Sequence, residues 1–322
     1  PYQKFESHEP SKPTPTPTPT PTSTTTAGPV LTDKPKPWPT PHELESVVSD
    51  IPPAEEQSIE SVGKYIAAHE HDPLSRVKAL HDWVADRIAY DGPRFVAGTF
   101  TADDEAPSTV FARRVGVCAG YAQLLAALGK VTGDEIVYVV GNVRTLGTPI
   151  DGAPHAWNAA HVEGVWYLLD ATFDSGYLDG STFHKKYSTD YLFTPADVFG
   201  VSHFPDDPAW QLRDKPISRG DFIRQPMMQP AFYARGLRLD APDRSQITVR
   251  GRFDVRLENA RTRLLMSYAP VGFGGEGTPC AVDGFTHASC DLPRGKWDVL
   301  LFGSEAAAGE FDHLGTFEVN SN

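Results

Sequence analysis

Apolar residues recur at three- and four-residue intervals along the first third of the chain, a spacing that predicts helices. The pattern is strongest beyond Asp72-Pro73, a pair that favours the start of a helix. The apolar positions of this helix are Leu74, Val77, Leu80, Val84 and Ile88. They share one face, which must pack inward. A second buried helix is predicted to begin at Cys118 and to end near Gly129.

Three strands are predicted next, over residues 135–140, 156–162 and 165–169, because β-branched and aromatic residues there are bounded by Gly or Pro. The last two strands should form a hairpin about Glu163-Gly164. In that register Asp170 lies opposite Trp157, and His155 is its diagonal neighbour on the same face. Residues 172–230 mix aromatic, acidic and proline residues and are predicted to be mostly loop with short helices.

Beyond Phe232 the pattern is β throughout, with turn signals about every 8 to 12 residues, which predicts a small immunoglobulin-like β-sandwich. The N-terminus is different, because residues 14–22 alternate Thr and Pro without apolar residues to bury. Such a segment predicts a disordered, extended linker over residues 1–40. The fold class is therefore α+β, with a linker (1–40), a catalytic domain (41–230) and a sandwich domain (231–322).

The charge of the chain restricts its partners. A net charge of −13 over 322 residues, without a basic run, argues against nucleic acid and anionic membranes as partners. No apolar stretch is long enough to cross a bilayer. The chain begins at Pro1, which suggests a mature or trimmed product, and the Pro/Thr-rich segment resembles a tether. We therefore expect a secreted or cell-surface anchored protein.

The chain has three cysteines, of which Cys280 and Cys290 lie close together near the C-terminus. In an oxidising compartment these two would pair, leaving Cys118 free. An unpaired thiol in an exported protein is exposed to oxidation, so it is either a small buried core residue or a functional group.

A catalytic role for Cys118 requires a thiolate, and therefore a base and an electropositive site. The predicted helix start places unpaired backbone N–H groups at the sulfur, where they could also hold an oxyanion. His155 is the candidate base and Asp170 the carboxylate that orients it. We expect Asp170 to accept the Nδ1–H of His155, which leaves Nε2 facing the thiol.

Four segments together resemble the transglutaminase-like superfamily, and they cover residues 73 to about 175. They are Asp82-Trp83-Val84 with Ile88-Ala89-Tyr90-Asp91, Gly116-Val117-Cys118-Ala119-Gly120-Tyr121-Ala122, His155-Ala156-Trp157-Asn158 and Trp166-Tyr167-Leu168-Leu169-Asp170-Ala171-Thr172-Phe173. The resemblance implies a papain-like core with Cys118 as nucleophile, His155 as base and Asp170 as orienting residue. The domain order is similar to that of the kyphoscoliosis-peptidase-like branch.

The sequence departs from the animal crosslinking enzymes, which carry an aromatic residue directly after the cysteine, where this chain has Ala119-Gly120. The departure argues against crosslinking and leaves the side-chain donor to the oxyanion open. Tyr90 and Tyr121 are candidates for that donor, and both are equally open to a packing role. Trp157 is a candidate for the substrate channel or for the core.

The resulting hypothesis is thiol-dependent acyl transfer on protein or peptide amides through a Cys118 thioester, of transglutaminase, deamidase or cysteine protease type. The alternative is a non-catalytic protein- or polysaccharide-binding module. Redox sensing by Cys118 lacks a resolving cysteine nearby. No cofactor or structural metal is predicted, although the acidic residues 174–179 are a weak calcium candidate. A cell-envelope component is a further candidate partner.

Overall fold

The computed structural model describes residues 37–145, 152–258, 260–272, 277–304 and 310–322. Residues 1–36 of the predicted linker lie outside the described residues. Residues 37–40 pack on the folded chain, since Trp38 Nε1 donates to the Asp190 carbonyl over 3.2 Å and Thr189 Oγ1 donates to the Thr40 carbonyl over 2.7 Å. The packed region begins before residue 41 because Trp38 offers the apolar surface that the Thr/Pro run lacks.

Helices form most of the first described part of the chain. They are α1 (Ser46–Ser49), α2 (Ile59–His69), α3 (Pro73–Arg87), α4 (Gly92–Ala97), α5 (Ala102–Glu105), α6 (Pro107–Arg113), α7 (Cys118–Thr132), α8 (Ala196–Ser202), α9 (Arg219–Arg224) and α10 (Pro230–Ala234). The predicted start of α3 is confirmed: Asp72 accepts from the Ser75 amide and Pro73 occupies the first turn. The apolar faces of α2, α3 and α7 share one core.

Helix α7 begins at Cys118, as predicted, and continues beyond Gly129 to Thr132. Gly133 then takes a left-handed conformation with φ 82°, and its N–H donates to the Gly129 carbonyl. A glycine in this conformation is a common end of a helix. The position of α7 matters because its first residue carries the free thiol.

The strands of this region are β1 (Ala89–Tyr90), β2 (Val115–Gly116), β3 (Glu135–Val143), β4 (Ala153–Val162), β5 (Val165–Leu169), β6 (Gly176–Asp179), β7 (Thr182–Lys185), β8 (Leu192–Thr194) and β9 (His203–Pro205). The main sheet is antiparallel, in the order β8-β5-β4-β3-β9. The predicted hairpin is confirmed, because Val162 pairs with Val165 and Asn158 with Leu169. Glu163 and Gly164 both have positive φ, as a two-residue hairpin turn requires.

The prediction that residues 172–230 are mostly loop is wrong in part, because this segment also contains strands β6 to β9. Strand β8 is buried along its whole length, so it lacks the alternation that marks a half-buried strand. Strand β9 ends at Pro205 and occupies an edge of the main sheet, where proline is tolerated. Both strands are three residues long, too short for a periodic signal.

The last part of the chain forms two sheets around one core. Its strands are β10 (Met227–Met228), β11 (Arg238–Ala241), β12 (Gln246–Val249), β13 (Arg252–Glu258), β14 (Arg263–Pro270), β15 (Thr278–Pro279), β16 (Ala281–Asp283), β17 (His287–Asp291), β18 (Gly295–Ser304) and β19 (Asp312–Ser321). One sheet has the order β10-β19-β18-β14-β15, with β12 parallel to β19, and the other has the order β11-β13-β17-β16. Strand β10 belongs to this part although it precedes residue 231.

Cys280 and Cys290 form a disulfide with their Cα atoms 4.7 Å apart, and Cys118 is free. This is the pairing that the sequence predicts for an oxidising compartment. Within the described ranges, every helix is too short or too polar to span a bilayer.

Candidate active site

Cys118 occupies the first position of α7, and its side chain is partly exposed. The residue before it, Val117, gives the helix no side-chain cap. The first N–H groups of a helix have no partners within the helix, and the helix dipole favours negative charge there. The Cys118 sulfur therefore lies close to the N-terminal backbone N–H groups of α7.

His155 lies between Cys118 and Asp170. Its side chain interacts with that of Cys118, and its Nε2 lies 2.6 Å from Asp170 Oδ2. The expectation that Nδ1 would face the carboxylate is wrong, because Nε2 does so. Strand parity places the imidazole on the correct face but does not fix its rotation about the Cβ–Cγ bond, which decides the facing nitrogen.

Asp170 is buried and its two oxygens are fully used. Oδ1 accepts the backbone N–H groups of Thr172, over 2.8 Å, and Phe173, over 3.1 Å. Oδ2 is shared by His155 and by a second histidine, His203, whose Nε2 lies 3.1 Å away. Burial favours the neutral acid, but His155 and His203 outweigh it and hold the pKa of Asp170 below its usual range.

The protonation of His155 follows from these neighbours. Burial disfavours the charged imidazole, but the negative charges of Asp170 and Cys118 outweigh that effect and raise the pKa of His155 to about 10. The ring of Phe173 packs against the imidazole with 4.8 Å between centroids. His155 therefore carries a proton at neutral pH, in a setting largely shielded from water.

Tyr90 lies beside Cys118 because β1 and β2 pair in parallel, with Tyr90 opposite Gly116. The Tyr90 hydroxyl interacts with the backbone N–H of Cys118. Burial, together with the nearby Cys118, raises the pKa of Tyr90 well above its usual value, so the phenol stays neutral. Of the aromatic residues predicted to contact substrate, Tyr90 is the one that the structure brings to the sulfur.

The other two aromatic residues predicted to bind substrate, Tyr121 and Trp157, are buried in the core. The Tyr121 hydroxyl donates to the Ile88 carbonyl over 2.7 Å. Trp157 packs in a cluster with Phe199 and Trp210. The prediction of direct substrate contact by these two side chains therefore disagrees with the structure, because a stripe of aromatic residues in sequence does not show which ones reach the surface.

His203 is the residue of this site that the sequence did not reveal. It begins β9 and is buried, and its spacing from Asp170 carries no recognisable motif. Among the described residues, His155, Asp170 and His203 form the group of metal-ligand type in which the ligand atoms all lie within 4.8 Å. Those atoms already hydrogen bond to one another, which accounts for their proximity.

A buried network of charges holds the segment that follows Asp170. Asp174 Oδ2 lies 3.1 Å from His81 Nε2, and Asp174 Oδ1 accepts the Ser188 hydroxyl over 2.7 Å. On its other side His81 faces Asp82, which also binds Lys78 Nζ over 2.6 Å. Both oxygens of the Asp174 carboxylate therefore contact groups inside the protein, and this argues against a calcium site at residues 174–179.

Comparison with known proteins identifies relatives of the part of the chain that carries Cys118, His155 and Asp170. Residues 60–171 match the profile of the transglutaminase-like superfamily. Kyphoscoliosis peptidase from Mus musculus and from Homo sapiens are each 32% identical over 206 residues, which cover 61% of this chain and 31% of the peptidase. This chain thus spans about a third of the length of these curated relatives.

Among solved structures, that of a TGase is 22% identical, covers 43% of this chain and 36% of its own, and gives a TM-score of 0.31. The family assignment rests on the profile match and on the similarity to the two peptidases. Residues 60–171 form a domain of the transglutaminase-like superfamily, and the relatives that the chain resembles are the kyphoscoliosis peptidases.

Proposed function

We propose that this protein is a thiol-dependent acyl-transfer enzyme that acts on protein or peptide amides. The observation that carries the proposal is that the His155 imidazole, held by Asp170 Oδ2 over 2.6 Å, interacts with the side chain of Cys118. A partly exposed thiol at a helix N-terminus, next to a histidine that holds its proton, is the arrangement that an activated cysteine needs.

In the proposed reaction the Cys118 sulfur attacks the carbonyl carbon of a substrate amide as a thiolate. The carbon–nitrogen bond then breaks, and His155 gives its proton to the departing nitrogen. A thioester remains on Cys118. Water or an amine next attacks the thioester while His155 accepts a proton from it, and the sulfur leaves as thiolate. Water as acceptor gives a protease or deamidase, and an amine gives a crosslink.

The oxyanion formed during the attack needs donors close to the sulfur. The Cys118 N–H and the Tyr90 hydroxyl both lie at that place, since the two groups interact in the resting protein. A substrate oxygen that displaced this contact would receive both donors. Tyr121 is a poorer candidate, since its hydroxyl proton is engaged by the Ile88 carbonyl. We therefore assign the side-chain donor to Tyr90.

We further propose that residues 227–322 form an immunoglobulin-like domain. In their order across each sheet, β11, β13, β17 and β16 correspond to the A-B-E-D sheet of such domains, and β14, β18 and β19 to the C-F-G sheet. The Cys280–Cys290 disulfide supports an extracytoplasmic location, since disulfides persist in oxidising compartments. The Pro/Thr-rich residues 14–22 support a tether to the cell surface.

Alkylation of Cys118 by iodoacetamide, followed by mass spectrometry between pH 5 and pH 9, tests the proposal. Cys118 should react quickly below pH 7 in the wild type and slowly in His155→Ala. His161→Ala is the matched control, because His161 lies on the same strand but pairs with Glu135, away from the thiol. A slow Cys118 in every variant would instead support the non-catalytic binding module.

A positive alkylation result leads to an assay with glutamine-containing peptides. Release of ammonia without incorporation of an added amine would indicate a deamidase. Cleavage of the peptide backbone would indicate a protease, and amine incorporation would indicate crosslinking. Cys118→Ala must abolish whichever activity is found.

A further inference from the structure

His203 and His155 approach the same oxygen atom of Asp170. Their Nε2 atoms lie 3.1 Å and 2.6 Å from Oδ2, while the backbone occupies Oδ1. A carboxylate oxygen has two lone-pair directions, so two donors use its capacity fully. The shorter contact belongs to His155, the histidine beside Cys118.

The surroundings of His203 decide its charge. Its ring lies among aromatic side chains, with 3.9 Å between its centroid and that of Phe199. The titratable groups that face it are Asp170, His155 and Tyr191. Burial lowers the pKa of His203, and the positive charge of His155 acts in the same direction, although Asp170 and the Phe199 carbonyl oppose them.

A neutral imidazole has one proton, which fixes the direction of its hydrogen bonds. Because a carboxylate can only accept, the proton of His203 must sit on Nε2. Nδ1 of the neutral ring then carries no proton, and the Ser202 hydroxyl, which lies 2.8 Å from Nδ1 and 3.4 Å from the Phe199 carbonyl, is the donor available to it. The neutral ring donates from Nε2 to Asp170, so the carboxylate receives a neutral imidazole donor beside the charged one.

We infer that His203 is a positioning residue for the acyl transfer proposed above: it fixes the Asp170 carboxylate and limits the pull of that carboxylate on the His155 proton. The inference rests on the proposed function. Without His203, Oδ2 would be a stronger acceptor for His155 alone, and His155 would give its proton less readily to the departing nitrogen. The carboxylate would also lose one of the four contacts that hold it.

The test compares wild type, His203→Phe and His203→Gln. Phenylalanine keeps a ring in the aromatic cluster without a donor, whereas the glutamine amide places an N–H close to the position of Nε2. In His203→Phe, the pH above which kcat falls, because His155 no longer holds the proton that it gives to the departing nitrogen, should rise. The kcat for the peptide substrate should fall roughly ten- to a hundredfold with little change in KM, the loss expected for one hydrogen bond to a charged group. His203→Gln should restore both.

The outcomes separate the two proposals. If wild-type Cys118 shows no reactivity that depends on His155, the proposed function fails. If it does, but His203→Phe keeps the wild-type pH limit and kcat, His203 is merely structural and the inference is overturned. A thermal melt of each variant separates a folding defect from a change at the site.

A measurement without substitutions covers the case in which His203→Phe does not fold. Long-range ¹H–¹⁵N spectra of histidine-labelled wild type report which ring nitrogens carry protons. Near pH 7 we expect a neutral His203 protonated at Nε2 and a His155 protonated at both nitrogens. A doubly protonated His203, or one protonated at Nδ1, would overturn the inference.

Discussion

His81 Nε2 lies 3.1 Å from Asp174 Oδ2 in the protein interior. Asp174 follows Asp170, the carboxylate that contacts His155, by four residues. This ion pair connects helix α3 to the turn that carries Asp170 and Phe173. The turn that carries Asp170 is therefore held by this ion pair as well as by packing, and the strength of the ion pair depends on pH.

The stability of the fold should fall in mild alkali because of His81. Burial opposes its charge, but Asp174 and Asp82 raise its pKa to about 9, above its ordinary value of 6.5. The stabilisation is thus fully present below about pH 6.5 and is lost as the pH rises through about 9. Urea unfolding of wild type and His81→Gln should show a stability difference that shrinks by on the order of 2–3 kcal/mol between pH 6 and pH 9.5.

The control for His81 is His69→Gln, a change at an exposed histidine near the end of α2. Its unfolding free energy should follow the wild type at both pH values. A difference between wild type and His81→Gln that stays constant with pH would mean that His81 is neutral in the folded protein.

Tyr90→Phe should separate alkylation from acyl transfer. Alkylation by iodoacetamide forms no oxyanion, so its rate should remain near that of the wild type. The kcat for peptide should fall by about 10²-fold, the usual cost of one oxyanion donor. Tyr121→Phe is the matched control: it loses a buried hydrogen bond to Ile88 and about 1 kcal/mol of stability, with kcat retained. Equal kcat values for the two variants would argue against Tyr90 as the donor.

Gly141→Ala should damage the site through the sheet. Gly141 pairs with His155 on one side and Pro205 on the other. An added Cβ would collide with the Phe204 carbonyl oxygen and would lie 2.7 Å from the Trp157 ring. Overpacking of this kind costs typically about 1–3 kcal/mol, and the displaced β9 carries His203. Chemical denaturation and Cys118 alkylation should both show a loss.

Gly220→Ala provides the comparison for Gly141→Ala. Gly220 lies in helix α9, and its nearest neighbour is the flexible Arg224 side chain, 3.4 Å from the added Cβ. Alanine there should leave stability unchanged or raise it by up to about 1 kcal/mol, as expected for a helical glycine. Wild-type behaviour of Gly141→Ala would show that β9 shifts without consequence.

Removal of the disulfide should destabilise only the C-terminal part. Cys280 and Cys290 are ten residues apart, and a bond closing such a loop contributes about 2–3 kcal/mol in the chain-entropy description. The double variant Cys280→Ala/Cys290→Ala should lower the melting temperature of that part while Cys118 keeps its alkylation rate. A slower Cys118 would reveal coupling between the two parts.

The predictable features of this site are the local ones. His155 and Asp170 lie on one hairpin, so their proximity follows from a two-residue turn and strand parity. The start of helix α7 at Cys118 was predictable from the preceding Gly116-Val117. His203 was not predictable, because it reaches Asp170 through the edge pairing of a three-residue strand. Short edge strands are specified by the sheet that they join rather than by their own sequence.

Side-chain orientation is the second limit. Sequence identified Tyr90 and Tyr121 as equivalent candidates, and only the parallel pairing of β1 with β2 separates them. The same holds for the nitrogen of His155 that faces Asp170, which depends on a torsion within the side chain. Patterns of residue type describe faces of elements and do not describe rotations about single bonds.

The four donors around Asp170 also restrict how this site can evolve. Both oxygens of an aspartate can accept, but an asparagine would have to turn its NH₂ group toward at least one N–H. Toward Oδ1 the opposing donors are the backbone N–H groups of Thr172 and Phe173, which only a proline at those positions would remove. Toward Oδ2 they are His155 and His203. An asparagine triad is therefore not one substitution away: a lineage that adopted it would first have to replace His203 with an acceptor or rebuild the turn.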